Sequence, residues 1–114
     1  EHGAPTAQLV IYQNKQPAHT HSIVHDETLV GRADPISGSD PDIDMTPWDE
    51  QAKISRKHTW IYRVNGQHYI YPVSAAGTQV GDQIIEMGTR HLLKDGDVII
   101  LSMALAMKFE TSSP

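Results

Sequence analysis

The sequence contains no cysteine, which removes disulfide frameworks and thiolate metal sites and leaves the redox compartment open. Basic residues are scarce, with nine Lys and Arg against fourteen Asp and Glu and a net charge of −5. A broad nucleic-acid or anionic-membrane face needs the opposite balance, so any basic function has to be local. No apolar run approaches the roughly 20 residues that span a bilayer, and the first residues lack the basic-then-apolar order of a signal peptide. A soluble, cytoplasmic domain is expected. Also missing are a Gly-x-Ser-x-Gly elbow and a glycine-rich loop that cradles phosphate at the start of a helix, which sets aside the familiar hydrolase and nucleotide-dependent designs.

What remains is β-like. The 114 residues suit one domain with a single core. Apolar residues come in short β-branched or aromatic runs, "QLVIY" (8–12), "TLVG" (28–31), "HTWIYRV" (58–64), "QHYIYPV" (67–73), "DQIIE" (82–86), "DVIIL" (97–101) and "ALAMKF" (104–109), and no segment sustains a helical period. Turn pairs fall between them, Asn65-Gly66, Gly81-Asp82, Met87-Gly88 and Asp95-Gly96, at the spacing of a sandwich or barrel. Residues 33–52 carry three prolines, six acids and no base, the composition of a long acidic surface loop. The polar ends, with "TSSP" last, suit linkers of a larger protein, so residues 1–7 and 111–114 are expected to flank a domain spanning 8–110.

Asn65-Gly66 is the sharpest local signal, because an Asn-Gly loop favours a type I′ turn and thereby sets the register of the flanking strands. Counting outward pairs Tyr62 with Tyr69 and Trp60 with Tyr71 on one face, and Arg63 with His68 and Ile61 with Ile70 on the other. Four of the seven aromatics thus share a face, which on pattern alone reads as core, with a partner surface as the alternative.

Candidate chemistry is thin. His19, His21 and His25 are close in sequence, but a zinc site needs further ligands and a second shell. Asp40, Asp42 and Asp44 alternate, yet a calcium loop starting at Asp40 requires Gly and Glu where Met45 and Gln51 stand. Ser55 and His58 do not by themselves make a nucleophile and base. No metal or other cofactor is expected. The feature that stands out is "KISRKHTWIY" (53–62), where Lys53, Arg56, Lys57 and His58 surround Ser55 at the mouth of a strand. A local basic knot around a hydroxyl points to anion recognition.

Four motifs occur in order: "LVGR" (29–32), "SRKH" (55–58), "SAAGTQVGD" (74–82) and "LLKDGDVIIL" (92–101). Together they resemble the forkhead-associated (FHA) domain, of bacterial type. The resemblance implies an all-β, Greek-key-like sandwich of about eleven strands, no catalysis, and a signalling or scaffolding role in which loops at one end hold a phosphothreonine peptide. Residue by residue, Arg32 matches the arginine whose guanidinium meets the phosphate. Ser55 matches the serine that donates its hydroxyl, and Arg56 falls where a second phosphate contact is often supplied. Lys53 belongs to the same knot. Gly31 matches the glycine before the arginine, His58 a histidine that braces the loop, and Gly77 and Thr78 the end of the family's Ser-x-Asn-Gly-Thr motif.

That last motif is altered, reading Ser74-Ala75-Ala76-Gly77-Thr78. Ala76 replaces the asparagine whose amide holds the peptide backbone, and Ala75 offers no hydroxyl. Each lost hydrogen bond removes about 0.5 to 1.5 kcal/mol, up to about tenfold in affinity. The resemblance also turns Ile61 and Ile70 inward and Trp60, Tyr62, Tyr69 and Tyr71 outward. The expected function is phosphothreonine-peptide recognition. The alternative is a degenerate FHA-like domain making phosphate-independent contacts, or a homo-oligomer, through that aromatic face. Neither nucleic acid nor membrane insertion is expected.

Overall fold

The computed structural model describes residues 7–49 and 53–111. Of the expected flanks, residues 1–6 and 112–114 lie outside the described residues, as does Gln51 of the rejected calcium loop, while Ala7 and Thr111 are the first and last strand residues. Eleven strands form among the described residues: β1 Ala7–Gln13, β2 Gln16–Ile23, β3 Glu27–Gly31, β4 Ile43–Asp44, β5 Lys57–Val64, β6 Gln67–Pro72, β7 Thr78–Val80, β8 Gln83–Ile85, β9 His91–Leu93, β10 Val98–Leu101 and β11 Leu105–Thr111. They make two sheets, one of six strands in the order β2-β1-β11-β10-β7-β8 and one of five in the order β4-β3-β5-β6-β9. Neighbours are antiparallel except β3 and β4, which run parallel.

The sheets stack because each offers one apolar face. Leu9, Ile11, Ile99, Leu101, Met107 and Phe109 come from the first, and Val30, Ile61, Ile70 and Leu93 from the second, all within one buried cluster. Such a face-to-face arrangement buries the inward half of every alternating strand. Loops are thereby gathered at the two ends of the sandwich.

The β5–β6 hairpin has the register that Asn65-Gly66 dictates: Val64 opposite Gln67, Tyr62 opposite Tyr69, Trp60 opposite Tyr71, with φ of 53° and 77° at the two turn residues. The opposite face carries Arg63 and His68 beside Ile61 and Ile70, so pattern alone favours the aromatic face as core. Ile61 and Ile70 enter the core, and the four aromatics lie half-buried on the outer face. The core reading of the aromatic face is corrected accordingly. Trp60 stacks on Tyr62 at 5.9 Å between ring centroids, Tyr71 meets Tyr62 edge-on at 6.1 Å, and the Arg90 guanidinium lies 4.7 Å over Tyr69. Aromatic and cation–π contacts of this kind let rings cover one another without entering a core.

Two strands escape the apolar pattern. β2 reads "QPAHTHSI" and is almost wholly exposed until Ile23, because it is an edge strand bonded only to β1. The 33–52 segment, expected as loop throughout, contains the short β4 and a single 3-10 turn at Thr46–Trp48. His19 leaves the metal question by stacking on Trp48 at 5.1 Å, and no metal-holding cluster of His and acids occurs among the described residues.

Candidate functional site

Local geometry at the end of β3 starts with Gly31. A Cβ added there would sit 2.0 Å from the Arg56 carbonyl oxygen, so only glycine lets the β4–β5 loop close over the strand end. Closure is fastened by backbone and side chain together. The Arg32 amide donates to the Arg56 carbonyl at 3.2 Å, and Arg32 Nε donates to the Ile54 carbonyl at 3.2 Å. The remaining guanidinium nitrogens donate to none of the described residues. Arg32 is therefore half-buried, held edge-on against the backbone on either side of Ser55.

The Ser55 loop is built from below. The Asp49 carboxylate accepts from the amides of Lys53 at 2.8 Å and Ile54 at 2.9 Å. His58 is fully buried. Its Nδ1 accepts from the Ser55 amide at 3.2 Å, which places the ring proton on Nε2, the atom that donates to the Gly77 carbonyl at 2.8 Å. One neutral ring thus joins the β4–β5 loop to the β6–β7 loop. Burial pushes the His58 pKa below the usual histidine value, opposed in part by the Gly77 carbonyl. The Ser55 hydroxyl meets the Ser74 hydroxyl, and Ser74 Oγ also accepts from the Ala76 amide at 3.0 Å.

Arg56 is half-exposed and its Nη1 donates to Asp34 Oδ2 at 3.1 Å. The Asp34 carboxyl is held below its ordinary range, first by the Ser37 hydroxyl, then by the Ile36 amide and the Arg56 guanidinium. Beside it, Asp44 accepts from the Ala33 amide and the Thr46 hydroxyl. Burial raises its pKa, but the Thr46 hydroxyl and amide, the Ala33 amide and the nearby Arg32 charge outweigh that and leave it lowered. A shallow pocket of about 490 Å3 opens here, lined by Ser37, Gly38, Ser39, Ser55, Arg56 and Lys57. Hydroxyls and cations line its walls, on a chain of net charge −5.

The sequence-predicted residues separate into three groups. Arg32, Ser55 and Arg56 come together, with Lys53 exposed two residues before Ser55 and Ala76 exposed across the Ser55–Ser74 contact. Gly31, His58 and Gly77 form the support beneath. Thr78 is buried on β7, with its hydroxyl bonded to nothing among the described residues, and does not join the first of these groups. Trp60, Tyr62, Tyr69 and Tyr71 lie apart, on the outer face of the second sheet. Sequence reading missed Asp34, Asp49, Ser74 and Ser102. Ser102 donates from Oγ to the Lys53 carbonyl at 2.7 Å and from its amide to the Gly77 carbonyl at 3.0 Å. Of these only Ser74 had a signal, as the first serine of the altered Ser-x-Asn-Gly-Thr motif.

The profile of the FHA domain matches residues 28–102. The chain belongs to the FHA domain family. FHA domains are generally non-catalytic interaction modules. The FHA domain of an Arabidopsis thaliana hypothetical protein is 24% identical, with a TM-score of 0.77, covering 99% of this chain and 91% of that one. Full-length yeast Pml1p is 24% identical with a TM-score of 0.76, covering 92% of this chain and 81% of that one. The MEK1 FHA domain in complex with a HOP1 phosphothreonine peptide is 25% identical with a TM-score of 0.73, covering 96% of this chain and all of that one. No curated protein matches by sequence. Among the described residues no helix is long and apolar enough to cross a membrane.

Proposed function

We propose that this FHA domain is a phosphothreonine-peptide recognition module in signalling or scaffolding, acting in the cytoplasm as part of a larger protein, with Arg32, Ser55 and Arg56 as the phosphate ligands. The observation that carries the reading is the clasp of Arg32 on the backbone of residues 54 and 56. It holds the Arg32 guanidinium, whose other nitrogens donate to none of the described residues, against the backbone on either side of Ser55, while Ser55 and Arg56 line the neighbouring open pocket. A planar fork suits phosphate geometry better than a point charge does. The likeness to the MEK1 domain that holds a HOP1 phosphothreonine peptide supports the same ligand class. Lys53 and Lys57 add attraction for a dianion at longer range.

In this reading Asp34 occupies Arg56 until phosphate arrives. A half-exposed ion pair is worth little, so exchanging the Asp34 carboxylate for a dianion is readily accommodated. The test is fluorescence polarisation against a degenerate phosphothreonine peptide library beside its unphosphorylated twin. Selective retention of phosphorylated members is the expected result, and equal retention would remove the reading.

A second reading is favoured by Ala75 and Ala76, which supply neither a hydroxyl nor an amide to a peptide. It is phosphate-independent contact, or self-association, through the face of Trp60, Tyr62, Tyr69 and Tyr71. In that case Tyr62→Ala or Tyr71→Ala shifts the mass in solution by sedimentation or weakens a partner contact, while Arg32→Ala changes nothing.

A further inference from the structure

Past Arg32 the chain makes a tight turn over residues 35–38, closed by the bridged pair Asp34 and Ser39. Two serines lie here, and they differ. Ser39 is half-buried, and its hydroxyl donates to the Arg32 and Arg56 carbonyls at 3.3 and 3.4 Å, so it belongs to the clasp between the two loops. Ser37 is exposed, and its hydroxyl donates to Asp34 Oδ2 at 3.0 Å. That oxygen also accepts from Arg56 Nη1 at 3.1 Å. The turn holds without the Ser37 hydroxyl, because the Asp34 carboxylate accepts from the Ile36 amide and the Asp34 carbonyl from the amides of Gly38 and Ser39. A single carboxylate oxygen thus separates an exposed serine from the Arg56 guanidinium, and Ser37 lines the same pocket as Ser55, Arg56 and Lys57.

The charge around Ser37 is of one sign. Residues 33–52 carry six acids and no base. Asp40, three residues after Ser37, is exposed, and Asp42 and Asp44 follow it. An accessible hydroxyl beside a glycine, with carboxylates on its C-terminal side, suits an enzyme whose substrate groove is basic and is repelled by one whose groove is acidic.

We infer that Ser37 is a phosphorylation site for a serine kinase that selects acidic segments, and that the phosphoserine formed there closes the phosphate pocket from within by pairing with Arg56 and Lys57. The inference rests on the proposed function. In the transfer, Ser37 Oγ attacks the γ-phosphorus of a nucleoside triphosphate held by the kinase. The Oγ–P bond forms as the bond from that phosphorus to the β–γ bridging oxygen breaks; the nucleoside diphosphate leaves with the electron pair, and the hydroxyl proton passes to a carboxylate of the kinase. The product carries a charge near about −2 and three acceptor oxygens at neutral pH. It repels the Asp34 carboxylate, whose half-exposed pair with Arg56 is weak, and offers the guanidinium a better-matched anion. Because it is tethered, its effective concentration at the pocket is on the order of millimolar. A free phosphothreonine peptide then has to displace it.

The test compares the intact domain in three forms: unmodified, with phosphoserine incorporated at Ser37 by codon suppression, and with phosphoserine incorporated at Ser22, an exposed residue of β2 outside the pocket. Isothermal titration uses one phosphothreonine peptide and its unphosphorylated twin. Affinity for the phosphorylated peptide is expected to fall about tenfold or more with phosphate at Ser37, to stay unchanged with phosphate at Ser22, and to return after phosphatase treatment, which separates pocket closure from misfolding. By phosphorus NMR the phosphate at Ser37 titrates below the ordinary second pKa of about 6, and Arg56→Ala moves it back. An acid-directed serine kinase with ATP modifies Ser37 of the unmodified domain, mapped by mass spectrometry, and does so more slowly in Asp40→Asn. Unchanged affinity with phosphate at Ser37, an equal loss from Ser22, a resonance indifferent to Arg56→Ala, or a Ser37 that the kinase leaves untouched overturns the inference. The unmodified domain reports on the phosphate site alone: if it prefers the phosphorylated peptide while any of those results holds, only the closure falls, and if it shows no preference the proposed function falls with it.

Discussion

His58 does most of the joining at the candidate site, because one uncharged ring satisfies the Ser55 amide and the Gly77 carbonyl at once. Protonation would turn Nδ1 from acceptor to donor and set it against the Ser55 amide. Burial lowers the folded-state pKa of His58, and of His68 and His21 as well. The unfolded chain therefore binds more protons than the folded one below about pH 6.5, the ordinary histidine value. Stability is fully present above that value and declines as pH falls below it. Thermal melts from pH 7.5 to 5 should show a falling midpoint, and a flat profile across that range would contradict the neutral-ring bridge. Ala76 gives a second prediction at this scale. It is exposed and its φ is not left-handed, so Ala76→Asn should fold normally. Restoring an amide next to Gly77 should raise affinity for a phosphothreonine peptide by a few-fold to about tenfold, and only for the phosphorylated form, as read by titration of both peptides.

At the scale of elements, β5 and β6 were legible because a turn with one strongly favoured geometry lies between them. Register follows from turn type, and pairs opposite one another follow from register. β2 was not legible, since an edge strand with mostly solvated side chains carries no apolar alternation and includes Pro17. Nor could sequence place the contacts that tie loops together. Ser102 reaches Lys53 across 49 residues, and Asp34 reaches Arg56 across 22. Such pairs exist only once the sandwich has gathered its loops at one end. Arg32, Ser55 and Arg56 could be named beforehand because each sits in a short motif, but Thr78 shared a motif and is nevertheless buried. Motif membership does not fix how exposed a strand residue is. β5 and β7 also supply a test of packing: the Thr59 and Thr78 hydroxyls are buried without a partner among the described residues. Replacing an unsatisfied hydroxyl by a methyl of the same shape removes a desolvation cost, so Thr59→Val should stabilise by about 1 kcal/mol. Urea unfolding checks it, and destabilisation would mean that the hydroxyl has an essential partner.

For the whole molecule, the architecture separates a rigid scaffold from a small patch of chemistry. Among the described residues twenty apolar residues are buried, eighteen of them on the strands of the two sheets, and the loops at one end carry the site. A net charge of −5 leaves the basic knot as a local exception, which favours a compact anion over an extended polyanion. Removing Arg32's charge should leave the scaffold intact, since a half-buried surface arginine contributes little to folding compared with the core. It should remove the charge-assisted bonds on which a phosphate depends, each worth about 1.5 to 3 kcal/mol. The most direct measurement is isothermal titration of intact and Arg32→Ala protein, both checked by thermal melt, with one library-selected phosphothreonine peptide and its unphosphorylated twin at pH 7.5. The phosphorylated peptide should bind the intact domain at least about tenfold more tightly than its twin, and Arg32→Ala should erase that difference without lowering the melting temperature by more than about 4 °C. Equal affinity for both peptides, or a phosphate preference that persists in Arg32→Ala, would contradict the account.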